Sequence, residues 1–188
     1  SEDRVDALEI NISCPNVKKG GLAFGTDPSA TESVVSAVRE KTGKTVITKL
    51  TPNVTDITEI ARAAETAGTD AVSLINTLLG MKIDIETGKP AIKRAVGGLS
   101  GPAIKPVAVA RVYQVAGAVS VPVISLGGIM SWEDAVEIML AGAHAVQAGT
   151  VNFVDPSAAA AIPDGIRRYC TERGYESVSE ITSGCKQE

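Results

Sequence analysis

Aromatic residues make up only 3% of this sequence, histidine occurs once, and cysteine three times in 188 residues. So few aromatic rings disfavour a surface on which bases stack. The cysteines, Cys14, Cys170 and Cys185, form no CxxC pair and no metal-ligand spacing. An odd, sparse set of this kind is not a disulfide framework and fits a reducing compartment. No run of 18 apolar residues exists, which excludes a membrane-spanning helix of ordinary length. No basic, apolar, small-residue leader opens the chain. Charge of neither sign dominates: 18 Lys and Arg against 22 Asp and Glu leave a net charge of −4. That balance argues against nucleic acid or anionic lipid as the main partner. With 44% apolar residues, enough remains for a sizeable core.

What is there is an alternation of two kinds of text. Five short β-rich runs occupy residues 5–12, 45–50, 71–75, 121–126 and 145–148. Helical text follows most of them. Asp27-Pro28-Ser29 opens a helix to about Lys41. Asp56 with Glu59 resembles a capping box, and Ile57, Ile60, Ala61 and Ala64 form one face until Gly68. Lys105-Pro106 opens a third helix, and Ser131 with Asp134 caps a fourth that stops at Gly142. A last helical region, 156–173, is expected to be interrupted by Pro163 and Gly165. Strands alternating with helices predict βα units on a parallel sheet. No repeat or linker divides the chain, so residues 1–188 read as part of a single α/β domain. Five units suit an open doubly wound sheet or the last five units of a (β/α)₈ barrel, and the placement of the polar residues favours the barrel. One connection, 77–105, is long, carries no helix, and has a hairpin signal at Thr87-Gly88.

In both architectures function gathers where strands end. Asn11-Ile12-Ser13-Cys14-Pro15-Asn16 follows the first strand, Lys49 ends the second, and Asn76-Thr77 follows the third. Gly127-Gly128 and Gly149-Thr150 follow the last two. The paired glycines let backbone amides approach an anion, and the helix N-terminus at Ser131 is expected to assist in a phosphate site. Lys49, in apolar surroundings, suits a ligand that holds or develops negative charge. Cys14, between two asparagines, is a candidate base or nucleophile. Asn11, Asn16 and Asn76 offer donors and acceptors to a ligand with amide edges. His144, Cys170 and Cys185 read as structural or incidental.

The run Asn11-Ile12-Ser13-Cys14-Pro15-Asn16-Val17-Lys18 resembles the signature of the dihydroorotate dehydrogenases. So do Val46-Ile47-Thr48-Lys49-Leu50-Thr51-Pro52-Asn53, Ile75-Asn76-Thr77-Leu78-Leu79-Gly80-Met81 and the stretch from Gly97-Gly98 to Lys105-Pro106. The match covers essentially the whole chain and is nearest to the catalytic subunit of the NAD-linked (class 1B) type. The resemblance implies an FMN-containing TIM barrel that oxidises dihydroorotate to orotate in pyrimidine biosynthesis. It makes Cys14 the base that takes the C5 proton of the substrate while hydride leaves C6 for the flavin. Asn11, Lys49, Ile75, Gly101, Gly127, Gly128, Gly149 and Thr150 would hold FMN, and Asn11, Asn16, Asn76 and Thr77 the substrate. No metal is implied on this chain. A partner subunit carrying FAD and a [2Fe–2S] cluster would pass electrons to NAD, with a dimer of catalytic subunits inside a heterotetramer in the cytoplasm. The family chain starts well before a residue corresponding to Ser1, so its first three strands are expected to be missing here. A flavin-dependent dihydropyrimidine dehydrogenase and a non-catalytic fragment are the competing readings.

Overall fold

A computed structural model describes residues 3–13 and 24–185. Five parallel strands form its main sheet: β1 (Ala7–Asn11), β2 (Thr45–Lys49), β3 (Ala71–Leu74), then β8 (Val123–Leu126) and β9 (Ala145–Gln147). Their spatial order, β1-β2-β3-β8-β9, is their chain order. A doubly wound sheet reverses direction at a switch point, whereas an arc of a barrel does not. Four helices join these strands and a fifth follows the last: α1 (Pro28–Arg39), α2 (Ile57–Thr66), α3 (Lys105–Ala116), α4 (Trp132–Leu140) and then α5 (Ala158–Arg173). Each helix packs against the next, so they form one layer on one face of the sheet.

The two faces follow from the period of two along each strand. In register, Ile10, Thr48, Val72 and neighbouring Val123 make one row. That row meets the helices, and Val72 and Val123 share one buried cluster with Val35, Ile60, Ala64, Val112 and Ile138. Asn11, Lys49, Ser73, Ile124 and Ala145 make the alternate row, which faces the other way. The first face is a dry core; the second is the inner wall of the arc and carries the polar groups.

Local chemistry sets the boundaries. Asp27 caps α1 by accepting from the Ala30 N–H at 2.7 Å. Asp56 caps α2, but its partner is the Thr58 N–H at 2.8 Å rather than a reciprocal contact with Glu59. Ser131 and Asp134 form the expected reciprocal capping box on α4. Gly142 follows at φ 124°. Asp70 ties strand to helix: its carboxylate accepts from the Val46 N–H and from Arg39, both at 2.8 Å.

Two expectations change. The last helix is not interrupted: α5 runs through Pro163 and Gly165. Pro163 is the sixth residue of α5, past the first turn, so the helix forgoes one hydrogen bond there, to Ala159 O, and continues. Gly165 is a packing position rather than a break. A Cβ there would lie 2.1 Å from Cγ of Trp132, so only glycine lets α5 approach α4 this closely. The long connection is more ordered than its text suggested. The inner pair β5 (Ile83–Asp84) and β6 (Lys89–Pro90) turns at Gly88 as expected, but an outer antiparallel pair encloses it: β4 (Leu78–Met81) with β7 (Val96–Leu99).

Gly165→Ala is expected to cost about 1–3 kcal/mol by overpacking, read as a lower urea midpoint of the complete protein. The acid limb of stability has a second source. Burial pushes the Asp134 carboxyl up, but the Lys105 ammonium and the backbone N–H groups of Met130 and Ser131 outweigh it and hold the group below the usual carboxylate range. A depressed carboxylate contributes stability above its unfolded pKa of about 4, and loses it as pH falls through the folded value. Asp134→Asn is therefore expected to flatten the decline of the urea midpoint as the pH falls below about 5.

Candidate functional site

All five strands of the arc are parallel, so their C-terminal ends open on one edge, and the polar groups converge there. Asn11 ends β1. Its Oδ1 accepts from the Ser13 N–H at 3.2 Å, the Ser13 hydroxyl at 3.0 Å and Nδ2 of Asn76 at 3.2 Å. Asn76 also donates to the Ser13 hydroxyl oxygen at 2.8 Å. Its Oδ1 accepts from the Thr77 N–H at 2.8 Å, and its own N–H is held by Leu50 O. Asn11, Ser13 and Asn76 thus form one hydrogen-bonded knot over the ends of β1 and β3. Cys14 and Asn16 themselves lie outside the described residues.

A cleft beside the knot gathers Lys49, Ile75, Asn76, Thr77, Gly101, Gly127, Gly128, Gly149 and Thr150. Every cofactor-binding residue expected from the sequence except Asn11 lines it, and Asn11 touches it through Asn76. A roomier hollow of about 580 Å³ lies elsewhere, between β9 and α5, lined largely by apolar groups such as Val146, Ile162 and Ile166. It contains none of the strand-end glycines or asparagines.

The glycines shape the cleft in two different ways. Gly101 and Gly128 adopt φ 90° and 81°, which side chains rarely accept. A Cβ on Gly128 would lie 2.9 Å from the Lys105 backbone, so this turn is pressed against the start of α3. At Gly149 a Cβ would meet nothing within 4 Å: it would project into open space. The backbone is bared at that point, and a Cβ would fill part of the space, as suits a cradle for a phosphate and a polyol chain. Thr150 adds a hydroxyl, which donates to the Ser100 hydroxyl at 3.0 Å.

At the α4 N-terminus the Asp134 side chain folds back over the residues that precede the helix. The Asp134 carboxylate already accepts from the N–H groups of Met130 at 2.8 Å and Ser131 at 3.1 Å. Those two donors are engaged, and the first-turn N–H groups of Trp132 and Glu133 stand outside the capping box.

Lys49 projects from the inner face with its side chain 19% exposed, and its Nζ lies 3.5 Å from Oε1 of Glu9. His144 keeps its structural reading, its Nδ1 accepting from the Val123 N–H at 3.3 Å. Cys170 is buried in α5 and Cys185 is exposed; neither is near the cleft.

Several residues of the site were not singled out from the sequence. Ser13 is buried at the centre of the knot. Asn53 donates to Thr77 O at 2.9 Å and accepts from the Leu79 N–H at 3.0 Å, fixing the start of the long connection over the cleft. Gly98 lets β7 lie against Thr77, since a Cβ there would fall 2.3 Å from the Thr77 hydroxyl oxygen. Asn53 carried a readable signal, an asparagine after Thr-Pro beyond a strand, whereas Gly98 showed none apart from its paired glycine.

A family model for dihydroorotate dehydrogenase matches residues 2–169. The NAD⁺-type dihydroorotate dehydrogenase B catalytic subunit of Geotalea uraniireducens is 59% identical over 177 residues, covering 94% of this chain and 58% of that protein. The same subunit from Bacteroides thetaiotaomicron is 59% identical over 179 residues, covering 95% of this chain and 59% of its own length. Among solved structures, a ferulenol complex of the dihydroorotate dehydrogenase from Eimeria tenella superposes with a TM-score of 0.76 at 26% identity, over 95% of this chain and 54% of that one. The chain therefore spans well under two thirds of the curated relatives it matches, and its βα arc is a portion of their TIM barrel. A match through the strand-end motifs and the whole sheet leaves no doubt of its kinship: this chain belongs to the dihydroorotate dehydrogenase family.

Proposed function

We propose that residues 1–188 are the C-terminal portion of a single FMN-binding barrel domain, the catalytic subunit of an NAD-linked dihydroorotate dehydrogenase. The complete protein oxidises (S)-dihydroorotate to orotate in the cytoplasm, as a step of pyrimidine biosynthesis. One observation supports this above the rest: an asparagine knot and a glycine cradle open on the same edge of the sheet, with a lysine between them.

The cleft's chemistry fits FMN. Gly101, Gly127, Gly128, Gly149 and Thr150 would hold the phosphate and ribityl end, Ile75 would pack on the ring, and Lys49 and Asn11 would reach its polar edge. Bound there, FMN supplies the acceptor for two electrons and a hydride. The chain's own residues do the rest. Asn11, Asn16, Asn76 and Thr77 present amide and hydroxyl groups to the carbonyl and N–H edges of a dihydropyrimidine. Because Asn76 is locked by Ser13 and Thr77, its orientation is set before substrate arrives, which is how such a group orients a ligand at low entropic cost. Cys14 follows this knot by one residue and, as thiolate, takes the proton from C5, a carbon made acidic by its neighbouring carbonyl. Lys49 places positive charge where negative charge develops. A partner subunit bearing FAD and a [2Fe–2S] cluster would carry the electrons on to NAD, with two catalytic subunits in a heterotetramer.

The complete protein, purified and kept anaerobic, is expected to be yellow and to bleach with dihydroorotate but not with dihydrouracil. Cys14→Ser should retain FMN while flavin reduction slows by about 10²-fold or more at neutral pH. A colourless folded protein overturns the cofactor; bleaching by dihydrouracil alone moves the substrate; near-normal reduction in the serine variant removes Cys14 as the base.

A further inference from the structure

We infer that Glu9 is a positioning residue that acts through Lys49 and sets how strongly the lysine's charge bears on the bound flavin. The inference rests on the FMN reading above.

Glu9 and Lys49 stand on adjacent strands. Register pairs Glu9 with Ile47 and Asn11 with Lys49, so the two side chains share the inner face, one step of the pleat apart. Nζ of Lys49 lies 3.5 Å from Oε1 of Glu9, with the side chains 19% and 29% exposed. The second carboxylate oxygen is also engaged: Oε2 accepts from Nε2 of Gln147 at 2.9 Å. Gln147 belongs to β9, at the opposite end of the sheet from β1. One carboxylate thus links the two ends of the arc across its concave side, and holds the lysine with its other oxygen.

The remaining inward positions are uncharged: Ile47, Ala71, Ser73, Ile124 and Ala145. Glu9 is the one acid among these wall positions, and both of its carboxylate oxygens are engaged. Two roles are open to it, and they have opposite signs. A carboxylate that only aims Lys49 strengthens the lysine's hold on negative charge, so its removal weakens that hold. A carboxylate that is felt through Lys49 cancels part of the ammonium field, so its removal strengthens it. The geometry points to the second. Gln147 holds Glu9 without help from the lysine, and the Lys49 stem is anchored by β2, which is paired on both sides. Neither charge depends on the other for its place. Glu9 is an attenuator, keeping the flavin able to pass its electrons on instead of being trapped reduced.

The test is the flavin midpoint potential of the complete, FMN-loaded protein, read by its visible spectrum against reference dyes. Lys49→Gln is expected to lower the potential. Glu9→Gln, nearly isosteric and uncharged, is expected to raise it, by about a tenfold gain in preference for reduced over oxidised flavin, or about 30 mV for a two-electron couple. Glu9→Asp keeps the charge and should stay closer to the parent than Glu9→Gln. If the glutamine variant does not fold, Glu9→Met removes the same charge at similar volume and carries the same expectation. A potential unchanged in Glu9→Gln, or one that falls as in Lys49→Gln, overturns the inference. So does failure of both uncharged variants to fold while Lys49→Gln folds normally, since Glu9 would then be a structural residue. A parent protein that binds no flavin overturns the cofactor reading itself; a flavin-loaded protein indifferent to Glu9 overturns this inference alone.

Discussion

Five parallel strands paired in chain order are the constraint on which the rest depends. Parallel pairing sends every strand end to one edge. Sequential order keeps every connection on one face, so the other face is left to line a concave wall. Function then needs no further device to collect its residues. Asn11, Lys49 and Ser73 share a row, 62 positions apart from end to end, because of register alone. The same alternation that buries Val72 and Val123 presents Lys49 and Glu9 to the concave side. Hydrophobic burial on one face thus pays for polar exposure on the other.

The site is rigid where it orients and bare where it binds. At the β1 and β3 ends, the Asn76 side chain is held by Ser13, Asn11 and the Thr77 N–H. Its neighbour Thr77 is pinned from two sides, by Asn53 on its carbonyl and by Gly98 packed against its side chain. At the β8 and β9 ends the logic inverts. Gly128 is forced by close approach to Lys105, while Gly149 faces open space. Asp134 takes the Met130 and Ser131 amides just ahead of α4 and itself pairs with Lys105 at 2.6 Å, and Glu137 lies equally close to that lysine. The cluster fixes α3 against α4, and with them the two turns of the cradle. Burying Asp134 has a stabilising use here because its charge is matched on three sides.

Much of this was legible in the sequence, and what was not shows where sequence information stops. Strands and caps are local events. Asp27, Asp56 and the Ser131–Asp134 box act within three residues of themselves, so their text suffices. Strand-end residues were legible because fold class alone dictates where function collects. Gly165 was misread because its meaning is Trp132, thirty-three positions away. Glu9 and Gln147 meet across 138 positions, and nothing local to either marks it.

The contrast between Lys49 and Lys105 sharpens the electrostatic argument. Both are lysines near the cleft, and each pairs with carboxylates. Lys105 is saturated: two acids at 2.6 Å raise its pKa and hold it away from any ligand. Lys49 has a single acid at 3.5 Å among the described residues, longer than a strong charged hydrogen bond of about 2.7–2.9 Å. A cation saturated by two short contacts is structural, because little of its field is left over. A cation held by one long contact still projects a field, reduced but not abolished. That difference, read from distances alone, is why Lys49 belongs to the site and Lys105 to its scaffold.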